Sequence, residues 1–122
     1  MEAMLLCAHM EPGRVMRLSM IALSLGFGFK VIEPREYDMP LGALCGDQDA
    51  PNKPLPPMPV DAEMIVMASL SDSQVDALLK ALRESGLAPI PFKAVLTETN
   101  RHWSFGMLCR ELKTEHARLS KT

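Results

Sequence analysis

The side chains best suited to chemistry lie in one stretch, residues 96–112, which reads LTETNRHWSFGMLCREL. It contains the only Trp of the chain and places a Thr-Glu-Thr-Asn-Arg-His run directly before a predicted helix. Arg101 could offer a bidentate fork to a phosphate or a carboxylate. Three neighbouring polar side chains could orient such a ligand: Thr97, Thr99 and Asn100. The residue types therefore predict a small anionic ligand at this loop.

A helix N-terminus is the second part of the predicted site. Residues 71–74, Ser-Asp-Ser-Gln, have the pattern of a capping box. Such a terminus presents unpaired N–H groups and a partial positive charge to an anion, so Ser71 joins the predicted ligand-binding residues. The structural alternative is that the loop satisfies its own backbone and that Arg101 pairs with Glu98 or Glu111.

Two other kinds of site are weaker predictions. A small enzyme using the loop at residues 97–102 would need a set such as Cys109 as nucleophile, His102 as base and Glu98 as acid. The chain has no Gly-rich phosphate loop and no GxSxG or HExxH pattern. A zinc site needs four ligands, and only Cys7 and His9 are closely spaced. We predict no metal and no cofactor, and we assign no catalytic residue.

The elements that position this loop belong to a predicted internal repeat. A shift of 60 residues superposes two apolar runs, residues 4–8 and 64–68. With four further residues inserted, residues 41–45 fall on residues 105–109. We interpret the pattern as two copies of one unit within a single domain. The predicted parts are repeat 1 at about 1–46, a Pro-rich linker at 47–62 and repeat 2 at about 63–119.

Each predicted repeat has a strand, a helix, a second strand and a further helical segment. Short, continuously apolar runs are typical of central strands buried on both faces. Pro89 and Pro91 favour an edge position for the strand at residues 90–96. The pattern predicts an α/β fold of the α+β two-layer class. Its form would be a pseudo-duplicated βαβ-βαβ, ferredoxin-like sandwich with an extra C-terminal helix, and a small Rossmann-like parallel sheet is the alternative.

The first predicted helix has an apolar stripe in addition to the one that faces the core. The corresponding positions of the second helix carry charged side chains at three of the four places. Such a stripe needs a cover, either the last helix of the same chain or a second chain. A homodimer interface is therefore predicted at four residues: Met16, Met20, Leu23 and Phe27.

The composition limits the classes of partner. With 13 basic and 15 acidic residues, the chain lacks the basic surface expected of a nucleic-acid-binding protein. No apolar run approaches the length of a membrane span. Three cysteines without a CxxC pair are typical of a reducing compartment. We predict a cytoplasmic protein that binds neither nucleic acid nor membrane.

Residues 93–103 carry a K-A-x-x-T-x-T-N-R-x-W pattern. The stretch resembles a bacterial domain family of unknown function, whose members carry a similar pattern before a helix. The resemblance covers about residues 63–117 and implies a small cytoplasmic bacterial domain, without naming a substrate. Where family members often have Glu in the last helix, this chain has Met107, so the predicted capping box at Ser104 is incomplete.

The combined prediction is a non-catalytic binding or regulatory module for a small anionic ligand or a protein partner. A small enzyme using the loop at residues 97–102 is one alternative. A homodimerising interaction protein is the other. The first requires Arg101 and a helix N-terminus around a pocket, whereas the last requires an uncovered apolar stripe on the first helix.

Overall fold

A computed structural model of the protein describes residues 2–47 and 50–120. Four strands alternate with four helices along the chain. The strands are β1 (Met4–Ala8), β2 (Gly28–Ile32), β3 (Met64–Ala68) and β4 (Phe92–Val95). The helices are α1 (Pro12–Ser24), α2 (Leu41–Leu44), α3 (Asp72–Glu84) and α4 (Phe105–Ser120), and short 3-10 turns occupy Pro34–Glu36 and Asn100–His102.

The strands form one mixed sheet in the order β2-β1-β3-β4. β1 pairs with β2 in parallel, β3 pairs with β4 in parallel, and the central pair β1 and β3 is antiparallel. The predicted α/β fold of the α+β class is confirmed, as is the edge position of the strand after Pro89 and Pro91. Within the part of the chain that the structure describes, each helix is too short or too polar to pass through a lipid bilayer.

The strand order differs from both predicted topologies. In a ferredoxin-like sheet the helix of each βαβ unit crosses over a strand of the other repeat, whereas here α1 and α3 each return the chain to the strand next to the one it left. The sheet is not a parallel one either, because the two central strands run in opposite directions. The ferredoxin-like sheet and the observed sheet both place the apolar β1 and β3 at the centre. The apolar pattern therefore does not distinguish between these two strand orders.

Alternation along the central strands supplies two cores, one on each face of the sheet. Leu5 and Cys7 of β1 point towards α1 and α3, where they pack with Leu18 and Leu78. Leu6 and Ala8 point to the opposite face, where α2 and α4 cover them. These four of the five residues of β1 are buried, as continuous apolar strands at the centre of a sheet are expected to be.

The two halves of the chain share unusual backbone positions. His9 and Ser69 follow their central strands with φ angles of 58° and 61°. Gly26 and Gly86 follow the ends of α1 and α3 with φ angles of 80° and 77°, where a side chain would be strained. Each pair is separated by 60 residues. The halves thus have the same element order and the same turns, and duplication stays a prediction.

One connection differs in length between the halves. Residues 25–27 join α1 to β2, whereas residues 85–91 join α3 to β4. The four extra residues of the second connection are those that the repeat alignment requires. The second half therefore carries an additional loop beside α3.

The Pro-rich segment packs against the rest of the protein along part of its length. Val60 is buried, and the Leu55 N–H donates to the Asp38 carbonyl oxygen at 2.7 Å. At Gly106, near the start of α4, a Cβ atom would lie 2.7 Å from Cβ of Met58. Glycine at this position therefore allows the segment to lie directly on α4.

Candidate functional site

The loop after β4 is held by a closed set of hydrogen bonds around Asn100. The Thr97 N–H donates to the Asn100 side-chain oxygen at 2.8 Å, and the Asn100 N–H donates to the Thr97 hydroxyl at 3.0 Å. The Asn100 amide nitrogen also donates to the Val95 carbonyl oxygen at 2.9 Å. Asn100 is buried, whereas Thr99 is exposed. Thr97 and Asn100 thus satisfy the loop's own backbone.

Arg101 lies between two carboxylates. One guanidinium nitrogen, Nη2, pairs with Asp47, and the other, Nη1, lies 3.5 Å from Glu98. The predicted pairing with Glu98 is thus observed, whereas Asp47 is a partner that the prediction did not include. Arg101 Nε is buried and has no hydrogen-bond acceptor among the described residues. The guanidinium joins the end of the first half to the loop of the second.

Ser71 caps α3 in the predicted manner. Its hydroxyl accepts the Gln74 N–H at 3.2 Å, and the Gln74 side chain accepts the Ser71 N–H at 2.8 Å. The Leu96 N–H donates to the Met67 carbonyl oxygen at 2.9 Å, which brings the ends of β3 and β4 together. The start of α3 and the loop after β4 therefore lie at the same end of the sheet.

The half of the chain that carries this loop was compared with known protein families. Residues 63–119 match the domain of unknown function (DUF3783). The resemblance to an uncharacterised domain family is thereby confirmed. No curated protein and no solved structure matches the chain.

The DUF3783 match extends from the residue before β3 almost to the end of α4. It therefore contains the loop, the capped helix α3 and the longer α3–β4 connection. At the start of α4, the Ser104 hydroxyl accepts the Met107 N–H at 3.2 Å. Because Met107 cannot return a hydrogen bond, this is one half of a capping box, as the sequence predicted.

The three residues considered for catalysis differ in their exposure to solvent. Glu98 and His102 are exposed, whereas Cys109 is buried in α4 with its sulfur 3.7 Å from Asp61. Burial raises the pKa of the Cys7 and Cys45 thiols to about 11. Activated cysteines have a lowered pKa instead, so neither of these two thiols is prepared as a nucleophile.

Cys7 and His9, the closely spaced pair of the sequence, do not share a face of the sheet. β1 ends at Ala8, and the left-handed conformation of His9 interrupts the alternation of the strand. Cys7 is buried in the core, whereas His9 is exposed and its N–H donates to the Tyr37 hydroxyl at 3.1 Å. No cluster of three or more metal-binding side chains occurs among the described residues.

Three residues of the predicted apolar stripe on α1 are exposed. Met16, Met20 and Leu23 have 67%, 65% and 77% of their surface accessible. α4 packs on the opposite face of the sheet and does not cover them. The prediction that Phe27 belongs to this stripe is wrong. Its side chain is only 5% exposed and belongs to the core beneath α1. α1 ends at Ser24, and Phe27 follows the left-handed turn at Gly26.

The exposed face of α1 has no charge of its own. The helix, which is described throughout, has two charged residues, and both are engaged elsewhere. Arg14 makes two hydrogen bonds of 2.7 and 2.6 Å to the Glu63 carboxylate, which raise the pKa of the guanidinium. Arg17 donates to the Ser85 carbonyl oxygen. The outer face therefore consists of apolar and small neutral residues, with the exposed Arg17 beside it.

Proposed function

We propose that this protein is a non-catalytic interaction module that pairs with a second copy of itself through the outer face of α1. The face is defined by Met16, Met20 and Leu23. The observation that supports the proposal is the accessibility of all three side chains, each at least 65% exposed, on one 13-residue helix. Contiguous exposed apolar surface is typical of interaction sites.

The chemistry of the face favours an identical partner. A two-fold interface brings the same patch of both subunits together, so any charge on it would face a like charge. Arg14 pairs with Glu63 and Arg17 donates to the Ser85 carbonyl oxygen, and no acidic residue occurs in α1. Flexible methionine side chains adapt to a symmetric contact. The face itself therefore offers apolar contact and no acidic group.

The extent of the face limits the strength of the association. A helix of 13 residues is about 20 Å long. Three side chains fall short of the roughly 800 Å² per subunit that stable complexes bury. We therefore expect a reversible dimer, with a dissociation constant on the order of micromolar.

Sedimentation velocity over a wide range of protein concentrations tests the proposal. The wild-type protein should shift from monomer to dimer as its concentration rises. Met20→Lys should remain monomeric, because a lysine pair would then meet across the two-fold axis. Ala77→Lys is the matched control, since it adds the same charge at an exposed position of α3.

Circular dichroism melts should show that both lysine variants are folded. If the wild-type protein is monomeric throughout, the proposal is wrong. The same conclusion holds if Met20→Lys associates as the wild-type protein does. Equal loss of association in both variants would point to net charge rather than to the α1 face.

A small anion at the loop of residues 97–101 is a second candidate function. It is favoured by the buried Arg101 Nε, which lacks an acceptor among the described residues. The anion would replace Glu98, whose exposed carboxylate lies 3.5 Å from the guanidinium. Titration calorimetry with inorganic phosphate should show tighter binding for Glu98→Gln and none for Arg101→Lys. Absence of heat with both the wild-type protein and Glu98→Gln would exclude this candidate.

We also propose that the protein acts in the cytoplasm. All three cysteines are free and buried, which suits the reducing cytoplasm predicted for this chain. Their burial also keeps them from forming disulfides between copies. The dimer proposed above is therefore non-covalent.

A further inference from the structure

The longer connection of the second half builds a pocket of about 470 Å³ beside α3. Leu79 and Leu82 of α3 form one wall, and Leu87 and Ile90 of the loop form another. In the first half the same connection is only residues 25–27, and Phe27 packs in the core. The pocket thus owes its loop wall to the segment that contains the four extra residues.

Two cations stand at this apolar pocket. Arg83 of α3 and Lys93 of β4 both line it, and none of the described lining residues is acidic. Neither cation belongs to an ion pair with a described carboxylate. The Lys93 ammonium donates to the Ile90 carbonyl oxygen at 3.0 Å, which holds it beside the loop wall. An ammonium has three donors, so two remain for a ligand.

A second groove shows that this charge is specific to the α3 pocket. Beside β2, a groove of about 470 Å³ is lined by Val31 and Ile32 and also by Glu11 and Glu33. The two hollows have the same volume, and carboxylates line the groove beside β2 where cations line the α3 pocket, although Glu33 is paired with Arg35. An anion with an apolar body would enter the α3 pocket and be repelled from the groove beside β2.

We propose that the α3 pocket binds a free, single-chain aliphatic carboxylate. Its hydrocarbon chain would lie between α3 and the loop, and its carboxylate would lie between Arg83 and Lys93. The volume falls in the range of roughly 300–1,000 Å³ that small-molecule pockets occupy. Cations bind a carboxylate by charge-assisted hydrogen bonds, which are stronger than neutral ones. The proposed site is separate from the α1 face and from the loop of residues 97–101.

Titration with decanoate, followed by amide NMR shifts of the full chain, tests this proposal. Decanoate should move the amide signals of residues 87–90 and of Lys93 in a saturable manner. Acetate, which has the charge without the chain, should leave them unchanged. Decyltrimethylammonium, which has the chain with the opposite charge, should also fail to bind there.

Three charge-removing variants identify the contribution of the cations. Arg83→Gln and Lys93→Gln should each weaken decanoate binding by about tenfold or more, the effect expected for a lost hydrogen bond to a charged group. Lys80→Gln is the control, because Lys80 is an exposed cation of α3 that does not line the pocket. It should bind decanoate as the wild-type protein does.

A fourth variant, Ala88→Trp, should block the pocket, since Ala88 lines it from an exposed position. Three results would overturn the proposal. One is equal binding of decanoate and decyltrimethylammonium. Another is equal weakening by Lys80→Gln and by the two pocket variants. The third is a response to decanoate confined to Met16, Met20 and Leu23, which would indicate general adhesion to the α1 face.

Discussion

The two 13-residue helices, α1 and α3, are alike on the inside and different on the outside. Leu18 and Leu78 occupy equivalent positions and are both fully buried against the sheet. On the outer faces, Met20 of α1 corresponds to Lys80 of α3. Lys80 lies 4.0 Å from Glu84 in an exposed ion pair, whereas Met20 is exposed without being polar.

This contrast separates what the fold needs from what it leaves free. The inner stripe supplies the burial that holds each helix to the sheet, and both helices retain it. An exposed methionine contributes nothing comparable to folding, because most of its surface stays in water. The apolar character of the α1 face therefore calls for an explanation outside the folding of one chain, and self-association is the explanation we propose.

The largest expected effects come from the shared inner stripe. Leu18→Ala and Leu78→Ala should each lower the free energy of unfolding by about 2–5 kcal/mol, because each leaves a cavity in a packed core. Urea denaturation monitored by circular dichroism would measure both. A similar loss in the two variants is expected from their equal burial.

Two outer-face variants complete that experiment. Met20→Ala and Lys80→Ala should change the unfolding free energy of the monomer by less than about 0.5 kcal/mol. A large loss in Met20→Ala at a concentration where the protein is monomeric would mean that Met20 stabilises the single chain. The separation of inner and outer faces would then be wrong.

The next largest effect is expected at Gly106 and Gly42, two glycines that the repeat alignment superposes. A Cβ at Gly106 would lie 2.7 Å from Cβ of Met58, whereas the nearest atom to a Cβ at Gly42 is the Arg101 carbonyl oxygen at 3.2 Å. Gly106→Ala should therefore cost about 1–3 kcal/mol through overpacking, and Gly42→Ala should cost less. Thermal unfolding of the two variants would measure the difference. The reverse ranking would contradict the close packing of residue 58 on α4.

The smallest effect concerns how the two helices begin. Ser71→Ala removes a capping box and should cost about 1 kcal/mol. α1 begins after Glu11, whose side chain makes no capping hydrogen bond. Glu11→Asp keeps the charge and shortens the side chain, and it should stabilise the protein by about 0.5–1 kcal/mol. Chemical denaturation would measure the unfolding free energy of both variants. If Glu11→Asp lowers that free energy, the Glu11 side chain stabilises the fold in a way that capping does not explain.

The sequence predicted local structure well because local structure depends on neighbouring residues. The capping box at Ser71 is predicted from four consecutive residues and is observed. The prediction for Phe27 failed at a helix end. Its helical spacing was extended beyond Ser24, but the turn at Gly26 directs Phe27 into the core.

Long-range pairings could not be predicted in the same way. Asp47 is 54 residues from Arg101, and no spacing rule connects them. The strand order was equally inaccessible, since two central apolar strands fit several arrangements. The pocket cations Arg83 and Lys93 were missed, although the four-residue insertion in the repeat alignment was a signal of their location. An insertion indicates where extra structure occurs, without indicating its shape.

The central strand pair has a consequence for the symmetry of the sheet. Leu6 lies opposite Val66, while Met4 faces Ala68 and Ala8 faces Met64. A local two-fold axis therefore passes between Leu6 and Val66, and it exchanges each residue with its counterpart 60 positions away. A chain with only residues 63–119 would leave one edge of β3 unpaired. Two chains of that kind could rebuild the central antiparallel pair by placing Val66 opposite Val66, and the two-fold axis would then relate separate chains.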